Sequence, residues 1–546
     1  MSARESHLVI GSGPSAAVTA LTLSARPDQH VTILDIGGRL EAERRDTVAR
    51  LSVQDESAWR AEDIALISAR TVAPVPGVVP QKRTYGSDYP FRNLGQTTGI
   101  DGRPSSTNLD VTSSAYGGFS NVWGAQVMPF SRSTFARWPV SWPEMEPHYR
   151  AVLDEVPLTA EVDDLAELFP LVNPSSGLPP LGPRATDVLH RYERHREALR
   201  SHGVIVGRAR LALAAEGCTR CGLCMTGCPY SLIYSATQTM DKVRLRPDVE
   251  YHDRLLVERI GQDGDQVFAR CRDLATGERH EFRADRLFVG AGALGSTRLV
   301  LGSLPSPPPS IDLAEAAQFI VPFLSARAVE DPRRPGTRDF ALNQFNVLLN
   351  FDDDGYNSSH VHCYPYNPAF FDALPAPLRR ASASSAATQV LRRLTVGFGY
   401  LPSWASPAIR VTHRRNSQGG LPALDLTPSV DERPPMLDKS LRRLVRAAPR
   451  LDLWPLLTHV RLSGAGKSYH VGGAFPHRGA ADPTSGSTTD RWGRLPDWDR
   501  IHLVDGSVLP SIAATTFTLT VMANAHRITS EVLAAAREPS SRSSAR

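Results

Sequence analysis

Lysine is almost missing from this chain. Of 61 basic residues only four, at positions 82, 242, 439 and 467, are lysine, and the rest are arginine. The net charge is +4, with no basic block, which argues against nucleic acid as a partner. Cysteine is scarce too: there are six, and four of them crowd between 218 and 228, which excludes a disulfide framework and reads as a metal or cluster site. No apolar run approaches the length of a membrane span. Met1–His7 passes into Leu8-Val9-Ile10 with no hydrophobic targeting region, which points to the cytoplasm. What is present is a chain of 546 residues, room for three to four domains, with 41% hydrophobic and 22% charged residues. That composition excludes global disorder. The 40 glycines and 43 prolines suggest a loop-rich α/β or α+β protein rather than a helical bundle. There is no internal repeat.

The first 36 residues read as a βαβ unit: an apolar strand over 7–10, a tight loop over 11–15, an apolar helix over 16–24 and a second strand over 31–34. Gly11-Ser12-Gly13-Pro14-Ser15-Ala16 matches G-x-G-x-x-G/A in that context, and Asp35 follows 24 residues after Gly11. Glycines there permit a tight turn and close approach of backbone to a pyrophosphate, the helix N-terminus faces its charge, and the acid can accept from ribose hydroxyls. The loop alone does not choose between NAD and FAD. Further on, the pattern predicts a helix near 56–68, mostly helical chain over 140–205, and strands about a hairpin over 249–285. It also predicts strands over 340–351 and 408–413, helices over 377–394 and 437–450, a long helix from 518 to 536 and a disordered tail over 538–546. The two arginine-rich helices read as solvated faces, with a basic amphipathic surface for a membrane or a partner as the alternative. Trp138, Trp142, Tyr149, Tyr364, Tyr366 and Trp454 read as packing residues that could also stack on a sugar ring.

Five further segments carry a resemblance. Gly117-Gly118-Phe119-Ser120-Asn121-Val122-Trp123-Gly124-Ala125 resembles the flavin-contacting loop of the glucose–methanol–choline oxidoreductases. Phe288–Ser296 resembles the strand and turn that return to that family's FAD domain. Tyr469-His470-Val471-Gly472-Gly473, followed by Asp505-Gly506-Ser507 and Thr515-Thr516-Phe517-Thr518, resembles its C-terminal catalytic block. The nearest flavour is the pyranose-oxidase-like, sugar-oxidising branch.

The resemblance implies a two-domain α/β fold in which a Rossmann-like FAD domain (1–130, 245–305 and 465–537) interleaves with an α+β substrate domain (306–464). Residues 131–244 would form a helical cap bearing the cysteines. It implies non-covalent FAD held by Gly11, Ser12, Gly13, Pro14, Ser15, Asp35, Gly117, Gly118, Asn121, Val122, Trp123, Gly124, Val257, Ala291, Asp505, Gly506, Phe517 and Thr518. Val122 stands where covalently flavinylated pyranose oxidases carry the linking histidine. His470 becomes the base for an alcohol proton. The family's second catalytic position is His or Asn; here it is Thr516, whose hydroxyl can position an oxygen but not act as a base near neutral pH. His502 and His526 read as structural, with His502 the alternative base.

Cys218-Thr-Arg-Cys221-Gly-Leu-Cys224-Met-Thr-Gly-Cys228-Pro229 is C-x2-C-x2-C-x3-C-P, the ferredoxin-type spacing for a 4Fe–4S cluster. A tetrahedral zinc site and a metal-free loop are the alternatives. The fourth thiolate is assigned to Cys228, with Cys271 or Cys363 as substitutes. A cluster could relay electrons to an external acceptor, which favours a dehydrogenase over an oxidase, or could simply pin the loop. The functional expectation is oxidation of a small-molecule alcohol or sugar. The rivals are an NAD-linked Rossmann dehydrogenase and a non-catalytic flavin and iron–sulfur carrier.

Overall fold

The computed structural model describes residues 4–69, 82–92, 112–173, 177–330, 340–365, 385–414, 420–429, 433–479 and 487–536. The chain opens with β1 (Glu5–Ile10), α1 (Pro14–Ser24) and β2 (Gln29–Leu34), as the apolar pattern predicts. β1 and β2 pair in parallel with Ile10 opposite Leu34, so the two strands end at one edge. Both are apolar almost throughout, the pattern of a parallel sheet covered on both faces. α1 buries Ala16, Ala17, Val18, Ala20 and Leu23 and packs between a helix over Ala236–Val243 and the long C-terminal helix Thr518–Ala535.

Three more strands join that sheet from far along the chain. β4 (Val249–His252) lies beside β2, β8 (Arg286–Val289) beside β1, and β19 (Ile501–Leu503) beside β8, all parallel. The order is β19-β8-β1-β2-β4, and the carboxyl ends share one edge. Ligands of open parallel sheets bind at such an edge. A three-stranded antiparallel meander, β5 (Leu255–Asp263), β6 (Gln266–Asp273) and β7 (Arg279–Ala284), occupies the predicted hairpin region.

The second layer is an antiparallel sheet in the order β16 (Trp454–Pro455), β10 (Gln318–Leu324), β13 (Leu394–Tyr400), β12 (Ser358–Tyr364), β11 (Phe345–Asn350) and β3 (Val204–Arg208), with β17 (Arg461–Leu462) also on β10. Side chains alternate between its faces. Phe319, Val321, Phe323, Val347, Val361 and Cys363 turn to an apolar core beneath helices Pro183–Arg194 and Pro435–Leu451. A Cβ at Gly399 would run into the Phe319 ring, so glycine makes room for the aromatic there. The opposite face carries Asn346 and His362, paired across β11 and β12, and Phe398 and Tyr400 opposite His362 and His360. A smaller sheet of β15 (Ala423–Pro428), β14 (Ile409–Arg414), β9 (Ser310–Glu315) and β18 (Val471–Gly472) adjoins both layers.

The predicted helical region 140–205 holds helices over Trp142–Glu155, Pro183–Arg194 and Arg196–Arg200, but it ends in β3. β3 falls within the stretch assigned to a cap and yet pairs with β11. Its apolar run Val204-Ile205-Val206 is too short for periodicity to classify, and the partner strand decides it. The helix near 56–68 is split into Glu56–Ala58 and Ala61–Ser68. The predicted strand over 340–351 contracts to Phe345–Asn350. Of the helix predicted over 377–394, Ser385–Leu391 is helical and Leu394 already begins β13, while 377–384 lie outside the described residues. Tyr366 and the tail 538–546 also lie outside them.

Candidate active site

The loop between β1 and α1 sits on the turn after β8. Gly11 has φ +98°, and a Cβ there would approach the Gly290 carbonyl oxygen to 2.7 Å, so only glycine fits. Ser12 Oγ donates to Asp35 Oδ2 at 2.5 Å and accepts the Gly117 amide at 3.0 Å, which ties the dinucleotide loop to the 117–124 loop. Tyr251 donates its hydroxyl to the same Asp35 oxygen at 3.0 Å. Burial pushes the Asp35 carboxyl up to about 6 against the pull of those two hydroxyls. Gly13 and Gly292 cap the N-termini of α1 and of the helix Ala293–Ser303, and a Cβ on either would meet nothing within 4 Å. Open space over two helix N-termini, glycines in close contact and a carboxylate at the end of β2 fit a dinucleotide. Val257 lies in β5, two residues beyond Leu255, whose amide donates to the Asp35 carbonyl. Val122 is buried.

The C-terminal block reaches the same edge. Asp505, beyond β19, accepts from Ser296 Oγ at 2.5 Å and from the Ser507 amide at 2.9 Å. Gly472 packs against the Gly506 carbonyl, and the Gly473 amide donates to it at 2.8 Å. A Cβ on Gly506 would lie 3.2 Å from the Phe517 ring. The Phe517 ring in turn meets the His470 ring at 5.1 Å. Contacts therefore run unbroken from the dinucleotide loop to His470.

His470 is held from β9. Glu315, buried at the end of that strand, receives the Gly466 amide at 2.9 Å and the Ser468 hydroxyl at 2.7 Å. Ser468 Oγ accepts the His470 amide at 3.1 Å, and the Ala316 amide donates to the His470 carbonyl at 3.0 Å. Tyr469, between them, takes φ +57°, an uncommon conformation for a non-glycine residue that these bonds enforce. The imidazole stacks on Tyr400 with centroids 4.5 Å apart and planes 17° apart. Among the described residues its Nδ1 has no hydrogen-bond partner, and neither does Thr516 Oγ1. Burial lowers the His470 pKa to about 3, so the ring is neutral at pH 7 and can accept a proton. His502 is placed differently: it stacks on Phe288 at 5.0 Å inside the parallel sheet, with Nδ1 against the Trp492 carbonyl at 2.9 Å. His526 pairs with His148, Nδ1 to Nδ1, at 2.8 Å.

The cysteine loop is laced to the 117–124 loop by residues 82–85. Lys82 Nζ donates to the Trp123 carbonyl at 2.6 Å and Thr84 Oγ1 to the Asn121 carbonyl at 2.5 Å. Tyr85 donates its hydroxyl to the Cys228 carbonyl at 2.8 Å and its amide to the Thr226 carbonyl at 2.6 Å. Cys218, Cys221, Cys224 and Cys228 are free thiols and electrostatic neighbours of one another. Burial raises the thiols of Cys221, Cys224 and Cys228, the second to about 12. Backbone amides serve the sulfurs: Leu223 for Cys221, Ala341 for Cys224, and Tyr230, Leu232 and Ile233 for Cys228. Among the described residues no three His, Cys, Asp or Glu side chains gather closely enough to hold a metal ion. Side-chain geometry among these residues therefore does not support the expected metal centre, whether an iron–sulfur cluster or a tetrahedral zinc site. Cys271 and Cys363 pack in the cores of the parallel-sheet layer and of the antiparallel sheet, away from the loop.

Sequence reasoning missed Glu315, Tyr400, His360 and His362. The last two lie on the polar face of β12, with rings 4.6 Å apart, and His362 is 5.0 Å from Tyr400. Alternation in His360-Val361-His362-Cys363-Tyr364 was the available signal: histidine and tyrosine on one face, apolar side chains on the other. No protein-family profile and no curated protein matches this chain. Among solved structures it is similar to pyridoxine 4-oxidase from Mesorbium loti, at 15% identity, over 97% of this chain and 99% of that one, with a TM-score of 0.58. At that identity the likeness is one of fold, and the fold is the two-domain α/β arrangement that the resemblance to glucose–methanol–choline oxidoreductases implies.

Proposed function

We propose that this chain is an FAD-dependent oxidoreductase that converts an alcohol, a hydroxyl of a sugar or of a glycosylated natural product, to a carbonyl. One observation carries the reading. His470, neutral and with an unpartnered ring nitrogen, stands between Phe517, which belongs to the dinucleotide edge, and Tyr400, which belongs to the polar face of the antiparallel sheet. FAD would be held by Gly11, Ser12, Gly13, Pro14 and Ser15, by Asp35, and by Gly117, Gly118, Asn121, Val122, Trp123 and Gly124. Val257, Ala291, Asp505, Gly506, Phe517 and Thr518 complete the set. When bound, FAD supplies a two-electron acceptor for hydride. His470 takes the hydroxyl proton, and the O–H bonding pair becomes the second bond of the carbonyl as hydride leaves carbon. Thr516 orients the substrate oxygen, and Glu315 and Ser468 hold the loop that aims His470.

The test is anaerobic mixing of FAD-loaded protein with sugars and primary and secondary alcohols, pyridoxine among them. Flavin bleaching by at least one is expected. Full flavin content with no bleaching by any of them would favour the carrier reading instead. Because Val122 offers no nucleophile, acid precipitation is expected to leave all yellow colour in the supernatant, and flavin in the pellet would overturn the non-covalent assignment.

A 4Fe–4S cluster on Cys218, Cys221, Cys224 and Cys228 belongs to the same proposal. It is supported by the spacing of the thiols, their shared electrostatic neighbourhood and the amides that serve the sulfurs. Cys218, Cys221, Cys224 and Cys228 would hold the cluster, which would supply one-electron transfer, and turnover with an artificial acceptor would then exceed turnover with oxygen. Anaerobic preparations are expected to hold about four irons and four labile sulfides per chain. Cys221→Ser is expected to abolish the broad visible absorbance, and stoichiometric zinc without sulfide would refute the assignment.

A further inference from the structure

The helix Pro435–Leu451 buries Leu437, Leu441, Leu444, Ala447, Ala448 and Leu451 against the antiparallel sheet and turns its other side to solvent. That outer side carries Lys439, Arg442, Arg443 and Arg446, at spacings of three, four and seven residues, so the four cations are neighbours on one face. With Phe351 they line a recess of about 160 Å³. The Arg443 guanidinium lies over the Phe351 ring at 4.3 Å, which fixes its direction. Its Nη1 is buried and has no hydrogen-bond partner among the described residues. Among the described residues none of the four makes an ion pair, whereas Arg433, just ahead of the helix, takes Asp438. Like charges at three- and four-residue spacing repel, and a half-buried guanidinium without a partner adds to that cost. Both are relieved by one event, the arrival of an anion.

We infer that Lys439, Arg442, Arg443, Arg446 and Phe351 form a binding site for a phosphate group, separate from the dinucleotide cradle. Several cations around one small recess match a tetrahedral oxyanion carrying up to two charges better than a singly charged carboxylate. The helix lies across the apolar face of the antiparallel sheet, opposite the face that carries His362 and Tyr400, so occupancy does not compete with the alcohol site. The group can come from a soluble phosphate ester or from a lipid headgroup, since both present the same oxygens.

The test uses the full chain loaded with FAD, so that the dinucleotide edge is filled. Unfolding temperature is followed with inorganic phosphate and, at matched ionic strength, with chloride. Phosphate is expected to stabilise beyond chloride, by mass action. Arg443→Gln and Arg446→Gln, which keep helix propensity, are each expected to weaken phosphate binding by about tenfold or more. Arg443→Lys is expected to retain part of it, and Arg259→Gln, on β5, all of it. Flotation with phosphatidylcholine vesicles, with and without phosphatidylglycerol, separates the sources. Binding to the anionic vesicles that Arg443→Gln abolishes assigns a headgroup; no vesicle binding assigns a soluble ester. Equal effects of phosphate and chloride, or an undiminished phosphate effect in both glutamine variants, would overturn the inference.

Discussion

His470→Ala is expected to slow single-turnover flavin reduction by roughly 10²- to 10⁴-fold, the range that general base catalysis supplies. Thr516→Ala is expected to cost only about 2- to 13-fold, the worth of one neutral hydrogen bond of about 0.5–1.5 kcal/mol. The contrast follows from what each group can do where it stands. The His470 ring is pinned by Tyr400 and Phe517, and its backbone by Ser468 and Ala316. Burial lowers its pKa to about 3, so it is neutral and proton-accepting across the working range. The reduction rate is accordingly expected to be flat above about pH 5. So low a value also makes the imidazole a weak base, so its proton transfer must accompany loss of hydride from the same substrate rather than precede it. The Thr516 hydroxyl is already protonated near neutrality and cannot take the substrate's proton. Flavin content must be measured first, because Phe517 and Gly506 lie beside His470 and a lost cofactor would imitate lost chemistry. Equal damage from both variants with flavin retained would reverse the roles. His362, 5.0 Å from Tyr400, would then be the next base to test; His502 is packed into the parallel sheet.

How much of this was legible follows the range of the interactions. The β1–α1–β2 unit was readable because strand, glycine turn, helix and terminal acid lie within 36 residues and each obeys a local rule. The segments at 117–124, 290–293 and 505–507 were readable only as a resemblance. What makes them one surface is the pairing of β8 and β19 beside β1, and strand order is not written in any single segment. β3 was missed for the same reason, since its five residues gain strand character from β11. Glu315 was invisible because its partners, Gly466 and Ser468, lie some 150 residues downstream. His360 and His362 were hidden differently. A strand whose polar face looks into the protein breaks the inside-apolar rule, and such breaks mark functional faces. The cysteine run was the plainest sequence signal of all, but spacing along the chain does not fix where thiols converge in space.

Acid is expected to unfold this protein at pH values that most globular proteins tolerate. His360, His477 and His502 are essentially inaccessible, and burial lowers each pKa from 6.5 to about 3. Each native imidazole therefore binds fewer protons than its unfolded counterpart. Stability is complete above about pH 7.5 and falls as pH drops through 6.5 toward 3. At pH 5 each of the three takes away about 2 kcal/mol, or about 6 kcal/mol together. His362 shifts in the same direction and adds to the loss. Asp35 works the other way: its carboxyl, raised to about 6 by burial, binds a proton more readily when folded and returns about 1 kcal/mol at pH 5. These groups alone leave a loss of about 5 kcal/mol, to which His470, lowered in the same way, adds, and that is comparable with the whole stability of many domains. Denaturant titrations at pH 7.5, 6 and 5 are expected to show it as a falling midpoint with little change in slope. His502→Asn removes one of the three titrations, and its stability, lower at pH 7.5, is expected to fall by about 2 kcal/mol less on the way to pH 5. A midpoint that does not move between pH 7.5 and pH 5 would mean that these rings take up protons in place, through openings that the packing of Phe169 over His360 and of Phe288 over His502 does not provide.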